Sequence, residues 1–529
     1  MKRRQFFKHS IPAAVTLPAL VNGFSVKAYT GASPLVQALL SATTETDKVL
    51  VLVRLDGGND GLNMVIPIEF YAGYFNARKN IAIPQNKILA LSGNTKTGLH
   101  PSMTGMQTLY NEGKLSVVQA VGYPSPNFSH FRATDIWMTA SDSEQLVSSG
   151  WVGRYLDSEF QGYPDAYPNT QMPDPLAIQI GAIPTMAFQG PGFNMGVNIS
   201  DPTSFYDFLN GVEDPVPDTP WGKELKYIRT IARQTELYSI AIRAAAEKVP
   251  AQGSYPSNNN LAQQLRIVAR LVKGGLKTRV YMVSTGGFDT HSSQVNTLDT
   301  TTGAHANLLR GLSDAIKSFM DDLKGMGIED RVIGMTFSEF GRRIKSNSSL
   351  GTDHGAAAPV FMFGKNVRWG VVGNNPNIPA SSSVNDNIPF QYDFRSIYAS
   401  ILQQWFCVEA ANLQTIMLKN FQQIPLAINS ACASTGIEDV LDNNGKDLII
   451  NYPNPFVEST RITFRTKGGH TLVHVIDPLG RVIKTLTDKV YAPGTYNVSF
   501  DSGGLPTGVY YARFQNGSNQ QVRPMLKTR

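Results

Sequence analysis

The sequence predicts an α/β sandwich with a largely parallel sheet, followed by a small all-β sandwich. In the middle of the chain, apolar β-branched runs alternate with helical stretches, which is typical of a parallel sheet covered by helices. After residue 450 the apolar pattern changes to a period of two with frequent turns, which indicates antiparallel strands. The chain has 529 residues, 42% hydrophobic and 17% charged, enough for more than one globular core.

The first thirty residues are typical of an export signal. A basic stretch, Lys2–Lys8, precedes an apolar stretch, Ile11–Val21, that two prolines make too short and broken to span a bilayer. Val26–Ala28 offers a cleavage site, so we expect a signal peptide over residues 1–28 and no transmembrane segment in the mature chain. Arg3–Lys8 resembles the twin-arginine export signal, and an ordinary secretory signal is the alternative.

Charge and cysteine content exclude several classes of protein. The net charge of +6 comes from the two ends, since residues 1–30 carry +5, residues 446–529 carry +6 and the middle carries −5. A mildly acidic middle argues against nucleic-acid binding. Two cysteines exclude a disulfide scaffold, an iron–sulfur protein and a cysteine-zinc module. Cys407 and Cys432 could form one bridge, which their spacing leaves open.

Each predicted strand of the middle domain has a polar, glycine-rich cluster beside it. The strands are Val49–Leu55, Leu115–Val121, Arg279–Ser284, Arg331–Phe337 and Ala358–Phe363. Four clusters follow the carboxyl end of their strand, and the fifth, Thr352–Gly355, precedes its strand and is expected to fold back. Because ligands bind beyond the carboxyl ends of parallel strands, we expect these clusters to form one site.

Aspartate and histidine in these clusters point to a metal. Asp289–His291 and Asp353–His354 lie in glycine-rich turns, and their donors suit Zn²⁺ or Mn²⁺. One such pair is more often a hydrogen-bonded turn, but two pairs plus further carboxylates favour a site for one or two divalent ions. The predicted ligands are Asp60, Asp289, His291, Glu339, Asp353 and His354. Asp56 stays an alternative to Asp60, and His100 and His305 are weaker candidates.

The ordered motifs of the middle domain resemble the domain-of-unknown-function family 1501. The motifs are Gly57–Asn63, Ser129–Phe131, Gly286–His291, Ser338–Arg342, Gly351–Gly355 and Asp393–Tyr398, within residues 48–430. The family looks like a branch of the alkaline phosphatase and sulfatase superfamily. That resemblance implies Asp/His metal ligands and a Ser, Thr or formylglycine nucleophile acting on phosphate or sulfate esters. Asp289 and His291 are closer together than the superfamily's Asp-x-x-x-His, and the absence of Cys-x-Pro-x-Arg argues against formylglycine.

Three residues are candidates for the chemistry itself. Ser129 would attack the ester, activated by metal and by the helix that it starts, and a plain helix N-cap is the alternative. His130 would be a ligand or leaving-group acid, or else a packed histidine. Arg342 would contact the anion while Glu339 supports a ligand, or else the two form a surface ion pair. Thr290 or a metal-bound hydroxide is the next candidate nucleophile.

The final segment, residues 451–529, follows an expected linker over residues 431–450 and predicts about seven antiparallel strands. It resembles the type A sorting domain of type IX secretion. The matching motifs are Tyr452–Phe456, Asp477–Arg481, Gly494–Tyr496 and Leu505–Tyr510. The resemblance implies transport to the outer-membrane surface or the medium. A carbohydrate-binding accessory sandwich is the alternative.

These features together predict a secreted or cell-surface, metal-dependent hydrolase of phosphate or sulfate esters. Its substrate would be a small molecule or a polymer, and its partners the twin-arginine and type IX machineries. A non-catalytic protein that binds metal or a partner on the same fold is the alternative, and a phosphoryl transferase or mutase is a weaker third.

Overall fold

The computed structural model describes residues 19–21, 24–26, 47–181, 184–200, 220–429, 432, 448–452, 456–466, 468–492, 494–517 and 519–527. The chain divides into two compact units, Met1–Cys432 and Ala433–Arg529. The predicted twin-arginine motif, Arg3–Lys8, lies outside the described residues. Within the described ranges, every helix is too short or too polar to cross a membrane.

The first unit contains strands and helices in alternation. Its strands are β1 (Ala19–Val21), β2 (Phe24–Val26), β3 (Val49–Leu55), β4 (Val65–Pro67), β5 (Leu89–Leu91), β6 (Asn94–Leu99), β7 (Leu115–Gly122), β8 (Ala177–Ile180), β9 (Gly196–Ile199), β10 (Val280–Thr285), β11 (Val332–Phe337), β12 (Gly341–Ser346), β13 (Thr352–Gly355), β14 (Ala358–Phe363), β15 (Gly370–Val372) and β16 (Tyr392–Asp393). Its helices are α1 (Gly61–Met64), α2 (Tyr71–Ala77), α3 (Thr104–Asn111), α4 (His130–Thr139), α5 (Trp151–Glu159), α6 (Pro220–Glu247), α7 (Asn260–Lys273), α8 (Ala304–Gly325), α9 (Phe394–Gln404) and α10 (Ala410–Met417).

A nine-stranded sheet forms the centre of this unit. Its strands lie in the order β15-β7-β14-β11-β3-β10-β8-β9, and β16 also pairs with β7. Neighbouring strands are parallel except at β14, which runs antiparallel to both β11 and β7. The predicted largely parallel sheet is therefore confirmed. Because β14 runs the opposite way, it starts at the edge where the parallel strands end, and this direction puts the fifth polar cluster beside the other four.

The helices cover both faces of the sheet, and β3 shows why. Val49, Val51 and Val53 belong to one buried core, which includes apolar residues of α3, α7 and α8. Leu50 and Leu52 point the other way, into a core with apolar residues of α4, α5 and α9. Successive strand residues face opposite sides, so an uninterrupted apolar run can be buried on both. This arrangement is the predicted α/β sandwich.

Cys407 and Cys432 form a disulfide bond. Cys407 follows α9, and Cys432 is the last residue of the first unit. The bond therefore ties the end of this unit to the helix layer, answering the question that spacing left open.

The second unit is all β. Its strands are β17 (Leu448–Tyr452), β18 (Ser459–Thr466), β19 (Gly469–Ile476), β20 (Val482–Tyr491), β21 (Gly494–Asp501), β22 (Gly508–Asn516) and β23 (Asn519–Lys527). They form two antiparallel sheets, β17-β18-β21 and β20-β19-β22-β23. Alternate residues such as Val473 and Val475 are buried with Phe464 and Phe514 in one core. The predicted sandwich of antiparallel strands is confirmed.

A buried ion pair joins the loop after β3 to the hairpin formed by β12 and β13. Asp60 and Arg78 are 1% and 0% exposed, and Arg78 Nη1 lies 2.8 Å from both carboxylate oxygens of Asp60. Arg78 also donates to the carbonyl oxygens of Arg343 and Ile344 in β12. Burial alone would raise the pKa of Asp60, but Arg78, His305 and Gln294 together outweigh it and the pKa is lowered. Asp60 is therefore held as a carboxylate.

We expect Asp60→Asn to lower the free energy of unfolding by about 3–5 kcal/mol, because it leaves the buried guanidinium of Arg78 without its counter-charge. Urea denaturation of the first unit measures this loss. Asp321→Asn is the matched control, since Asp321 forms an exposed pair with Lys317 within α8 and should change stability little. A wild-type unfolding midpoint for Asp60→Asn would contradict the structural role.

Candidate metal centre

Four chain segments deliver polar side chains to one edge of the central sheet. Asp289 and His291 lie in the loop after β10, and His130 opens α4, which follows β7. His354 lies in β13, directly before β14, and Glu339 follows β11. These residues lie where the parallel strands end and where the antiparallel β14 begins, as the topology requires.

Three imidazole nitrogens surround the carboxylate of Asp289. Nε2 of His291 and Nε2 of His354 each lie 3.2 Å from Asp289 Oδ1, and Nε2 of His130 lies 3.5 Å from Oδ2. The two nitrogens of His291 and His354 are themselves only 2.9 Å apart. Ligand atoms of His130, Asp289 and His354 all lie within 4.8 Å of one another, close enough to share an ion. His291 is outside that group of three but contacts both Asp289 and His354. We call His130, Asp289, His291 and His354 the His/Asp cluster.

The other ring nitrogen of each histidine faces a hydrogen-bond acceptor. In His130, Nδ1 lies 2.8 Å from Glu339 Oε1. In His354, Nδ1 lies 2.8 Å from the carbonyl oxygen of Phe128. In His291, Nδ1 lies 3.3 Å from Asp353 Oδ1. A carbonyl or carboxylate oxygen only accepts, so these partners favour the tautomer that carries the proton on Nδ1. In a neutral ring of that tautomer the lone pair lies on Nε2, on the side of Asp289. Metal-binding histidines are commonly fixed in this way.

The surroundings keep Asp289 ionised and His354 neutral. Partial burial opposes the charge of Asp289, but Arg342, His354 and His291 together outweigh it and lower the pKa of this carboxyl. Burial lowers the pKa of His354 below its usual value. A carboxylate and a neutral imidazole are the forms that bind a divalent ion.

Arg342 lies behind the cluster and is fully buried. Its Nη2 donates to Asp289 Oδ1 over 2.7 Å, and its other nitrogens donate to carbonyl oxygens of Gly58 and Thr352. The side chain is 0% exposed. It therefore holds Asp289 from inside the fold, and its contact with an anion stays a prediction.

Glycine lets the loops approach closely enough to form the cluster. Gly57 has φ 120°, and a Cβ there would lie 2.3 Å from the backbone nitrogen of Asp289. At Gly351 a Cβ would lie 2.3 Å from the carbonyl group of His291. Larger residues at either position would push apart the loops that carry the aspartate and the histidines.

Ser129 is exposed and immediately precedes His130. It occupies the N-cap position of α4, but its side chain makes no capping hydrogen bond. The flanking residues are held on both sides, since Phe128 accepts from His354 and His130 pairs with Glu339. The backbone that carries the Ser129 hydroxyl is therefore held in place, and the hydroxyl does not cap the helix.

The remaining predicted residues lie around the cluster in different settings. Asp353 and Glu339 each contact a histidine Nδ1. Asp60 is engaged by Arg78 and lies outside the group of atoms within 4.8 Å. Asp56 lies against Arg54, and burial raises the pKa of Asp56 to about 6.

Three further predicted candidates point into the protein. Thr290 is buried and donates its hydroxyl to Gln294, which takes it away from a nucleophile's role. His100 and His305 are both 1% exposed. Burial lowers the pKa of each histidine, to about 3 and about 4.

Sequence reasoning missed residues that support the cluster from behind. The ring of Phe340 lies 5.0 Å from the ring of His130 and 4.4 Å from that of His354, measured between centroids. Asn347 donates to Asp353 Oδ1 and to the carbonyl oxygen of His291. Phe340 lies within a motif noted in the sequence, but an apolar side chain there gave no sign of its contacts. Asn347 had no signal beyond its place before Asp353.

Comparison with solved structures returns distant matches. A protein in the alkaline phosphatase superfamily from Vibrio parahaemolyticus is 12% identical over 92% of this chain and 83% of its own, with a TM-score of 0.31. The PsFucS1 sulfatase from Pseudoalteromonas sp. is 10% identical over 88% of each chain, with a TM-score of 0.35. A putative sulfatase from Bacteroides fragilis is 10% identical over 87% of this chain and 90% of its own, with a TM-score of 0.32. These values are too low to support a conclusion about activity. No curated protein matches the sequence.

Two family models match separate parts of the chain. The model described as protein of unknown function DUF1501 matches residues 232–411, which include Asp289, His291 and His354 but not His130. The model described as secretion system C-terminal sorting domain matches residues 451–528, nearly the whole second unit. Residues 232–411 therefore match the DUF1501 model, and the C-terminal sorting domain indicates export to the cell surface or the extracellular space.

Proposed function

We propose that the His/Asp cluster binds one divalent metal ion, with Nε2 of His130, His291 and His354 and the carboxylate of Asp289 as donors. The observation that carries this proposal is the convergence of three Nε2 atoms on one carboxylate while each Nδ1 is engaged elsewhere. Imidazole and carboxylate donors suit Zn²⁺ and Mn²⁺, as the sequence predicted.

The spacing of the donors supports an ion at their centre. With both Nδ1 atoms protonated, the Nε2 lone pairs of His291 and His354 face each other at 2.9 Å. Two lone pairs at this distance repel unless a proton or a cation lies between them. Ligand atoms bound at about 2.0–2.1 Å around one zinc ion in tetrahedral geometry lie roughly 3.3 Å apart. The contacts of Asp289 with the three rings, and of His291 with His354, are close to this spacing.

We further propose that the protein hydrolyses phosphate or sulfate esters. A bound divalent ion would supply Lewis-acid stabilisation of the ester oxygens. Ser129 would provide the attacking hydroxyl, since it is exposed, uncapped and next to a proposed ligand. Arg342 would fix Asp289, and Glu339 would hold His130 in the tautomer that leaves Nε2 free.

A metal-binding surface protein without catalysis is the alternative function. The solvent exposure of the cluster favours it as much as it favours an enzyme, because Asp289 and His291 are 46% and 45% exposed. The two functions share the metal and differ in the need for Ser129, so they can be separated by substitution.

Substituting His354 tests the metal. Purified His354→Ala should lose about one metal equivalent per chain, because one donor of about four is removed. Elemental analysis measures the content, and chelation should lower the melting temperature of the wild type but not of the variant. His470→Ala is the control, since His470 is an exposed histidine of the second unit. Full metal content in His354→Ala would refute the site.

Substituting Ser129 separates an enzyme from a binding protein. Ser129→Ala should keep its metal and its stability, because no capping hydrogen bond is lost. Hydrolysis of p-nitrophenyl phosphate, its diester and its sulfate should fall by about 10³-fold or more if Ser129 attacks. Ser125→Ala, in the same loop, should behave as wild type. Full activity in Ser129→Ala would require another nucleophile, and a metal-loaded wild type inactive on all three esters would favour the binding protein.

Deleting the sorting domain should block secretion and leave the first unit functional. A chain ending at Ile450 should retain its metal content and any esterase activity, because the proposed donors all lie in the first unit. It should accumulate inside the cell, as the sorting domain is what directs the chain across the outer membrane. Immunoblotting of cell and medium fractions measures this. Unchanged release of the truncated chain would contradict the assignment.

A further inference from the structure

One buried amide joins the two loops that carry the Asp/His pairs. Gln294 lies three residues after His291 and is 0% exposed. Its Oε1 accepts from Thr290 Oγ1 over 2.9 Å and from Thr352 Oγ1 over 3.1 Å. Thr290 separates Asp289 from His291, and Thr352 directly precedes Asp353. A single oxygen atom is therefore bonded to both loops.

The orientation of this amide is set from its other side. Nε2 of Gln294 donates to Asp60 Oδ2 over 2.7 Å, and Asp60 is held as a carboxylate by Arg78. Turning the amide around would place Oε1 against this carboxylate, acceptor against acceptor. Asp60 therefore acts on the cluster at a distance, because it directs Oε1 of Gln294 toward the two threonines.

Three backbone hydrogen bonds also join the two loops. The nitrogens of Ser293 and Gln294 donate to the carbonyl oxygens of Ser349 and Leu350 over 2.9 and 2.8 Å, and the nitrogen of Thr352 donates to that of Thr290 over 3.1 Å. The side chain of Gln294 adds a buried connection to these three. Because Thr290 precedes His291 and Thr352 precedes Asp353, this connection acts on the spacing of the two Asp/His pairs.

We propose that Gln294 is a positioning residue that sets the spacing of the two Asp/His loops for metal binding. The inference rests on the proposed metal site and extends it to a side chain that does not touch the ion. Hydrogen-bond partners behind metal ligands typically contribute about 10- to 100-fold in metal affinity.

The test compares metal affinity in Gln294→Leu and in Gln119→Leu. Gln294→Leu should weaken Zn²⁺ binding about 10- to 100-fold in competition with a chromogenic chelator. It should also shift the visible absorption of the Co²⁺-substituted protein, which reports ligand geometry. Gln119, which lies on β7, is the matched control. It is equally buried, and its amide donates to Asn375 Oδ1 over 2.8 Å. Gln119→Leu should lower thermal stability but keep the wild-type affinity and spectrum.

A second variant covers the case in which Gln294→Leu does not fold. Thr290→Val with Thr352→Val removes both hydroxyls and leaves the bond from Gln294 to Asp60 in place, so it should weaken Zn²⁺ binding in the same direction. Wild-type affinity and Co²⁺ spectrum in either folded variant would overturn the inference, as would an equal loss of affinity in Gln119→Leu. A wild type that binds neither ion would instead refute the metal site itself, a result distinct from any loss confined to the variants.

Discussion

The hydrogen bond made by each Nδ1 is the interaction on which the candidate site depends. An imidazole that donates from Nδ1 presents its lone pair at Nε2, so the outer partner decides what the ring offers to the centre. The partner of Nδ1 is Glu339 in His130, the carbonyl oxygen of Phe128 in His354, and Asp353 in His291. The three partners come from separate segments, and one is a backbone carbonyl. The chemistry of the cluster is therefore a consequence of how the segments pack.

Strand direction is what brings these segments together. In a fully parallel sheet the segment before β14 would start at the opposite edge, far from the loop after β10. Because β14 is antiparallel to both neighbours, the β12–β13 hairpin that precedes it lies at the carboxyl edge. Within that hairpin Arg342 is paired with His354, so the residue that holds Asp289 and a proposed ligand of the same ion are cross-strand neighbours. One reversed strand thus completes the site.

Sequence reasoning identified the strands and the loops but not the direction of each side chain. The run Val49–Leu55 predicted a strand buried on both sides because its residues alternate between two cores. Asp289, His291 and His354 were predicted as a group because glycine-rich loops at strand ends meet at one edge. Local sequence does not show which of two nearby carboxylates faces inward, however. Asp60 lies in the same loop as Asp56, and its setting is decided by Arg78, 18 residues away and fully buried. The support from Gln294 was missed for the same reason, since its partners come from three separate loops.

The electrostatics of the cluster allow two ways to relieve the repulsion among its lone pairs. One is to place a proton on an Nε2, and the other is to place a cation among them. The first requires either the tautomer with the proton on Nε2, which gives up the bond donated by Nδ1, or a doubly protonated histidine, which burial makes unfavourable at His354, where it lowers the pKa. Nor does Asp289 supply a proton, because Arg342, His354 and His291 together overcome burial and lower its pKa. Arg342 pairs with Oδ1 of Asp289, whereas Oδ2 of the same carboxylate faces Nε2 of His130. A divalent cation satisfies all four donors at once, whereas a proton satisfies one pair. This difference is what supports the proposed metal centre over a hydrogen-bonded turn.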